Sequence, residues 1–220
     1  AAALRENADA NNLAFTALRA RRLDLPFRLA APLNHDTAAA LSAWAGAKSA
    51  SPVYSGHGAS GKQVWLFTGQ GSHWRTMGQS LYQHSTAFAD TLERCFAACR
   101  DMLTPSLREA MFNDSAQLDN MAWAQPAIVA FEIAMAAHWR AEGLQPDYAI
   151  GHSVGEFAAA VVCGHYTIEQ VMPLVCRRGA LMQLCASGAM VAVFAQEEAL
   201  MPLARQFELD LAANNGTRHT

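Results

Sequence analysis

Apolar positions along this chain fall into two kinds of stretch. Short, largely apolar runs stand at 63–69 (QVWLFTG, ending in glycine), 146–152 (PDYAIGH), 189–195 (AMVAVFA) and 209–215 (LDLAANN). Runs of this length predict buried strands. Between them, apolar residues recur with the period of a helix over 76–83, 85–102, 120–143, 153–164, 167–186 and 197–207. The 120–143 stretch carries Pro126 early, which a first helical turn tolerates, and Pro173 is placed to bend 167–186. Ahead of these, 25–33 (LPFRLAAPL) reads as extended and 35–47 as an alanine-rich helix, while 48–62 (KSASPVYSGHGASGK) reads as a Gly/Ser-punctuated connection. Strands alternating with long helices predict an α/β core around a parallel sheet. The division expected is a small α/β linker unit over 1–60, a large subdomain over 61–187, and the opening β-α-β run of a smaller subdomain over 188–220.

Composition narrows the classes. With 220 residues, 52% of them apolar, the chain can bury a sizeable core. A net charge of −3 gives no global basic footprint for nucleic acid. The basic run 18–28 (LRARRLDLPFR), with Arg19, Arg21, Arg22 and Arg28, reads as a solvated face. No apolar run approaches the roughly 20 residues that span a bilayer, and the first residues lack the layout of a secretory signal. Five cysteines (Cys95, Cys99, Cys163, Cys176 and Cys185) show no metal-type pairing. They are expected to be reduced core thiols of a cytoplasmic protein, with no metal site. The chain starts without methionine and stops directly after a strand-like run, so it reads as a piece of something longer.

Three stretches carry candidate chemistry. Gly151-His152-Ser153-Val154-Gly155 stands between a predicted strand and a predicted helix. A serine on such a sharp turn takes a strained backbone, and glycines two residues to either side allow the close approach that the turn demands. The helix after it aims N–H groups and a positive dipole end at the serine, which places the Val154 N–H to stabilise an oxyanion. The alternative is an ordinary strand-to-helix loop of small residues. The turn Gly69-Gln70-Gly71 closes another predicted strand, at the edge where ligands bind in open α/β sheets. It lacks the Gly-Lys-Ser/Thr ending of a phosphate loop, and alone it is only a turn. Arg178 lies in an apolar helical context, where a buried guanidinium needs an anionic partner. Taken alone, a structural ion pair or a surface position explains it better, and adjacent Arg177, facing a different direction, weakens the choice further.

In this order and at this spacing, FTGQGSHW, AQPAIVAFE, GHSVGE, RRGALMQ, GAMVAVFA and LAANNG resemble one family. It is that of the acyltransferase domains of modular type I polyketide synthases and the related malonyl-CoA:acyl-carrier-protein transacylases. The resemblance covers about residues 61–220, and residues 1–60 look like the latter part of a ketosynthase-to-acyltransferase linker. It implies an α/β-hydrolase-like parallel-sheet core with the start of a ferredoxin-like subdomain. Ser153 would be the nucleophile, with the Gln70 and Val154 N–H groups as oxyanion hole. Arg178 would grip the free carboxylate of a dicarboxylic acyl group, and Gln125, His152 and Asn215 would line or brace the site.

The resemblance implies malonyl-CoA and a phosphopantetheinylated acyl-carrier protein as substrates, no bound cofactor, and a ketosynthase in the same polypeptide as neighbour. No nucleic acid or membrane partner is expected. Val154 after the nucleophile, and Glu132 at the end of AQPAIVAFE, match the malonyl rather than the methylmalonyl pattern of the family. The family's general base, a histidine well C-terminal of the serine, would fall beyond Thr220, and His73 stands where the family commonly has glutamine. A serine hydrolase using the same elbow, and an inactive remnant serving as a docking scaffold, are the competing readings.

Overall fold

The computed structural model describes residues 26–32, 34, 36–46, 53–58, 61–113, 116–186 and 188–217. Arg19, Arg21 and Arg22 of the basic run lie outside them, and Arg28 is exposed. The chain divides into two compact units, residues 1–65 with 144–149 and residues 66–143 with 150–220.

In the first unit, β1 (Phe27–Ala30) pairs antiparallel with β2 (Tyr54–His57), Phe27 opposite His57 and Ala30 opposite Tyr54. Helix α1 (Thr37–Ala45) lies between them in sequence, and the Trp44 indole N–H donates to Ser55 Oγ at 3.2 Å. Strand β2 falls inside the stretch expected to be a plain connection. Its composition hides it, because a Tyr-Ser-Gly-His strand owes its existence to the partner's hydrogen bonds rather than to β propensity.

Strands β3 (Val64–Phe67) and β4 (Tyr148–Gly151) are hydrogen-bonded neighbours. The Gln63 carbonyl accepts from the N–H of Tyr148, and the Phe67 carbonyl from that of His152. Both chains advance together along these bonds, so the pair is parallel, as the alternating pattern predicts. The strands need a crossover, and the helices supply it.

The helices of the second unit carry their own start signals. Ser85 caps α3 (Thr86–Ala98) by accepting from Phe88 N–H, just after the short α2 (Gln79–His84). Ser106 and Glu109 form a capping box on α4 (Leu107–Phe112), and Thr167 and Gln170 form another on α7 (Ile168–Gln183). Asn120 caps α5 (Met121–Ala141), which packs against α3, α7 and α6 (Gly155–Val162). The core sits where these helices meet, with Phe88, Leu92, Ile128, Val129, Val171 and Met172 buried. Phe88 and Phe131 meet edge-on at 5.8 Å. Pro126 is the sixth residue of α5, past the first turn where it was expected, and the helix runs through it. The missing N–H leaves Ala122 without its i+4 donor, a loss the surrounding packing outweighs.

Among the described residues after Gly188, α8 (Glu197–Gln206) alone is regular. The runs 189–195 and 209–215, expected as strands, form no strand ladder among the described residues, and Met190, Val191, Phe194 and Leu209 are exposed. A strand is made by its partner, and these two segments do not pair with each other. Among the described residues no helix is long and apolar enough to cross a membrane.

All five cysteines are free, but only Cys95, Cys99 and Cys176 are core thiols; Cys163 and Cys185 are exposed, against the expectation. Burial pushes the Cys95 thiol up to about 12, and the Cys99 and Cys176 sulfurs lie 3.4 Å apart. Thiolate, not thiol, reacts with alkylating agents. Iodoacetamide on the folded protein is therefore expected to modify Cys163 and Cys185 and to spare the other three until denaturant is added. Peptide masses check this, and native-state labelling of Cys95 would contradict the packing.

Candidate active site

Three residues turn the chain from β4 into α6, and Ser153 is the middle one. Its φ is 53°, the left-handed region that a residue with a side chain rarely occupies. Holding it there costs on the order of 1–3 kcal/mol. The two flanking glycines explain how the turn is enforced. A Cβ on Gly151 would lie 2.3 Å from the Glu156 Cα, and one on Gly155 would lie 2.4 Å from the Thr68 carbonyl oxygen. Neither position has room for a side chain. The elbow expected from the motif is present, with Ser153 exposed and Val154 buried.

The N–H groups behind the serine differ from expectation. Gly155, Glu156 and Phe157 donate back to the carbonyls of His152, Ser153 and Val154, so the first turn of α6 consumes them. Among the described residues, nothing accepts from the N–H of Val154 or of Gln70. The pair named from the sequence is therefore uncommitted, as are the N–H groups of Gly69, Gly71 and Ser153.

The turn 69–71 is held against the elbow. A Cβ on Gly69 would lie 2.8 Å from His152 Nδ1, so glycine is needed for the approach. His152 Nε2 contacts Asn215 Oδ1 at 3.1 Å, and these two expected bracing residues therefore touch each other. No contact joins His73 to Ser153 among the described residues, and His73 Nδ1 is buried without a partner there.

Arg178 projects from α7 beside the serine. Its Nη2 lies 3.4 Å from Ser153 Oγ, and its Nη1 donates to Gln125 Oε1. Arg177, the alternative, is exposed. The partner of Arg178 is a neutral amide rather than the anion expected for a buried guanidinium. Among the described residues no carboxylate lies within ion-pair distance of it. Gln125 is fully buried, and its Nε2 donates to Met182 Sδ at 3.0 Å and faces Gln70 Oε1 at 3.5 Å. The closeness of α7 to α5 depends on Gly179, where a Cβ would fall 2.6 Å from the Met121 carbonyl oxygen.

Glu132 is the part of the site that sequence reading underrates. It is 9% exposed, and its Oε1 accepts from Thr68 N–H at 2.5 Å and from Thr68 Oγ1 at 2.8 Å. Read as a family pattern, it has no structural role; as a charged residue on an apolar helix, seven after Gln125, it shares that residue's face.

These residues gather into one place a strained serine, two uncommitted N–H donors and a guanidinium with no anion. Residues 64–220 match the acyl transferase domain family. The chain belongs to that family. It is 42% identical over 160 residues to the mycoketide-CoA synthase of Mycobacterium tuberculosis, covering 72% of this chain and 4% of that protein. The acyltransferase domain from module 8 of the salinomycin polyketide synthase superposes with a TM-score of 0.81 at 30% identity, over 94% of this chain and 52% of that one. The acyltransferase domain of SpnD, solved in complex with 2-(pent-4-yn-1-yl)malonyl, gives 0.75 at 31%, over 98% and 51%. This acyltransferase sequence thus spans a small part of the curated synthase and about half of each solved domain. The α/β class holds, and the family is one of acyl transfer rather than hydrolysis.

Burial pushes the Glu132 carboxyl from 4.5 up to about 6, against the opposing pull of the Thr68 hydrogen bonds. The native value exceeds the unfolded one, so the native state holds this proton more firmly. Its contribution to stability is full below about pH 4.5 and is lost as pH rises through about 6. Glu132→Gln has no proton to titrate there. Between about pH 4 and 7 the wild type is expected to lose about 2 kcal/mol of unfolding free energy relative to the variant. Urea unfolding across that range measures the difference, and parallel curves would contradict it.

Proposed function

We propose that this chain loads a malonyl group from coenzyme A onto Ser153 and passes it to the phosphopantetheine thiol of an acyl-carrier protein. Residues 1–60 are then part of a linker from a ketosynthase in the same cytoplasmic polypeptide. Residues 61–187 form the large subdomain, and 188–220 open the ferredoxin-like one. The observation that carries the reading is Ser153, held at positive φ, 3.4 Å from a guanidinium that has no carboxylate partner among the described residues.

In the first step Ser153 Oγ attacks the thioester carbonyl, a C–O bond forms, and the C–S bond to coenzyme A breaks. The serine proton ends on the departing sulfur. In the second step the pantetheine sulfur attacks the serine ester, the C–O bond breaks, and the thiol proton returns to Ser153. Both steps balance as thioester exchange without a resident cofactor. The N–H groups of Gln70 and Val154 stabilise the oxyanion of each tetrahedral intermediate. Arg178 pairs with the free carboxylate of the malonyl group, a planar fork meeting a planar anion. Gln125 holds that fork in place. Because Arg178 only donates, the proton needs another acceptor. In the family that this chain resembles, a histidine well C-terminal of the serine takes that role.

The SpnD domain, solved with the substituted group 2-(pent-4-yn-1-yl)malonyl, supports a dicarboxylic acyl group, and by the family resemblance Val154 matches the malonyl rather than the methylmalonyl pattern. One methyl group is worth only about 1–3 kcal/mol in a pocket, so the preference is graded.

With the full-length polypeptide carrying this chain, equimolar malonyl-CoA and methylmalonyl-CoA are expected to leave chiefly a malonyl adduct on the Ser153 peptide. Ser153→Ala should remove it. An adduct that persists, or one mapped to a cysteine, would overturn the assignment.

Arg178→Ala is expected to slow malonyl loading by about 2–4 kcal/mol, roughly 30- to 1,000-fold, while acetyl loading changes far less. Equal losses for the two acyl groups would make Arg178 structural.

A further inference from the structure

We infer that Glu132 is a positioning residue for acyl transfer: from α5 it clamps Thr68 and so fixes the turn that presents the Gln70 N–H to the reacting carbonyl. The inference rests on the reading of Ser153 and Gln70 given above.

Its basis is a chain of contacts that starts in the core and ends at the turn. Glu132 Oε1 takes both the N–H and the hydroxyl of Thr68, the last residue before Gly69-Gln70-Gly71. Thr68 Oγ1 lies 2.7 Å from Ser72 Oγ, and the Ser72 hydroxyl donates to the Gly69 carbonyl at 2.9 Å. The turn is therefore tied at both its ends. On its other side the Thr68 carbonyl abuts Gly155, where any Cβ would come within 2.4 Å. Thr68 is thus the point where the turn and the first residue of α6 meet, and Glu132 sets its position.

A purely structural role accounts poorly for a carboxylate here. Its second oxygen, Oε2, is buried with no partner among the described residues. An acceptor-only group with an idle oxygen in an apolar setting is disfavoured, and an aliphatic residue would pack there without that penalty. An ionised oxygen taking two donors at once is a stiffer anchor than a neutral one. Stiffness matters at an oxyanion hole, since the donor must already stand where the charge develops.

Glu132 touches no substrate in this reading. Its loss should therefore lower the rate of the chemical step and leave binding through Arg178 intact. The test uses the full-length polypeptide and measures the rate of Ser153 acylation against malonyl-CoA concentration for wild type, Glu132→Ala, Glu132→Gln and Thr68→Val, with thermal unfolding alongside. Displacement of one oxyanion donor predicts a kcat for Glu132→Ala reduced about 10- to 100-fold, with KM changed less than about threefold. Glu132→Gln keeps a carbonyl acceptor of the same reach but not its charge, and should recover part of the rate. Thr68→Val, which loses the hydroxyl alone, should fall in between.

A kcat within threefold of wild type, a loss expressed through KM, or a Glu132→Gln no better than Glu132→Ala would overturn the inference. If Glu132→Ala does not fold, the Glu132→Gln and Thr68→Val rates decide it: Thr68→Val slowed in kcat beyond Glu132→Gln supports the clamp, and Thr68→Val at the wild-type rate overturns it. Ser153→Ala separates the two levels. Labelling that survives Ser153→Ala sinks the parent reading, whereas labelling abolished there but unaffected by the Glu132 variants sinks only this one.

Discussion

Two polar side chains buried on one face of α5, Gln125 and Glu132, hold the candidate site together. They stand seven residues apart, two helical turns, and each bonds a different part of the site. Gln125 takes the guanidinium of Arg178 on α7, and Glu132 takes Thr68 at the end of β3. Each is almost without access to water, so a lost partner would strand a buried amide or carboxylate at a cost of about 1–3 kcal/mol or more. The apolar remainder of α5 meets α3, α6 and α7, and it makes that face dry enough for these bonds to be strong. Site and core thus share a single helix.

Arg178 illustrates how a neutral partner leaves a charge uncompensated. An aspartate in place of Gln125 would satisfy the guanidinium and also quench it. An amide fixes one nitrogen and leaves the positive charge unspent, facing Ser153. Methionine sulfur and a second glutamine amide then complete the bonding of Gln125 without adding charge.

The parts of this arrangement that were legible in sequence are those written in local chemistry. Gly-x-Ser-x-Gly between an apolar run and a helix marks the elbow because only glycine fits on either side of it. Arg178 was visible as a charge in an apolar context, although its partner was not. The Ser106-x-x-Glu109 start of α4 stands in the sequence, but the helix it opens is too short to show a period. Strand β2 was not legible, because nothing in Tyr-Ser-Gly-His announces a partner strand. The runs 189–195 and 209–215 misled in the opposite direction: apolar content alone suggested strands, and pairing is what was lacking. Glu132 lay between these cases. Its spacing from Gln125 was readable, but the acceptor it offers to a loop far away in sequence belongs to tertiary structure alone.

Gly179 gives the arrangement a further meaning. The gap between α7 and the start of α5 is set there by a hydrogen atom, one residue along from Arg178. A methyl group in that place would press on the Met121 carbonyl and push the helices apart, while most of the core could adjust around it. The displacement would carry Arg178 away from Gln125 and Ser153, its two contacts across that gap. If Arg178 reads the acyl carboxylate as proposed, a glycine that looks like a packing residue also governs where that charge stands.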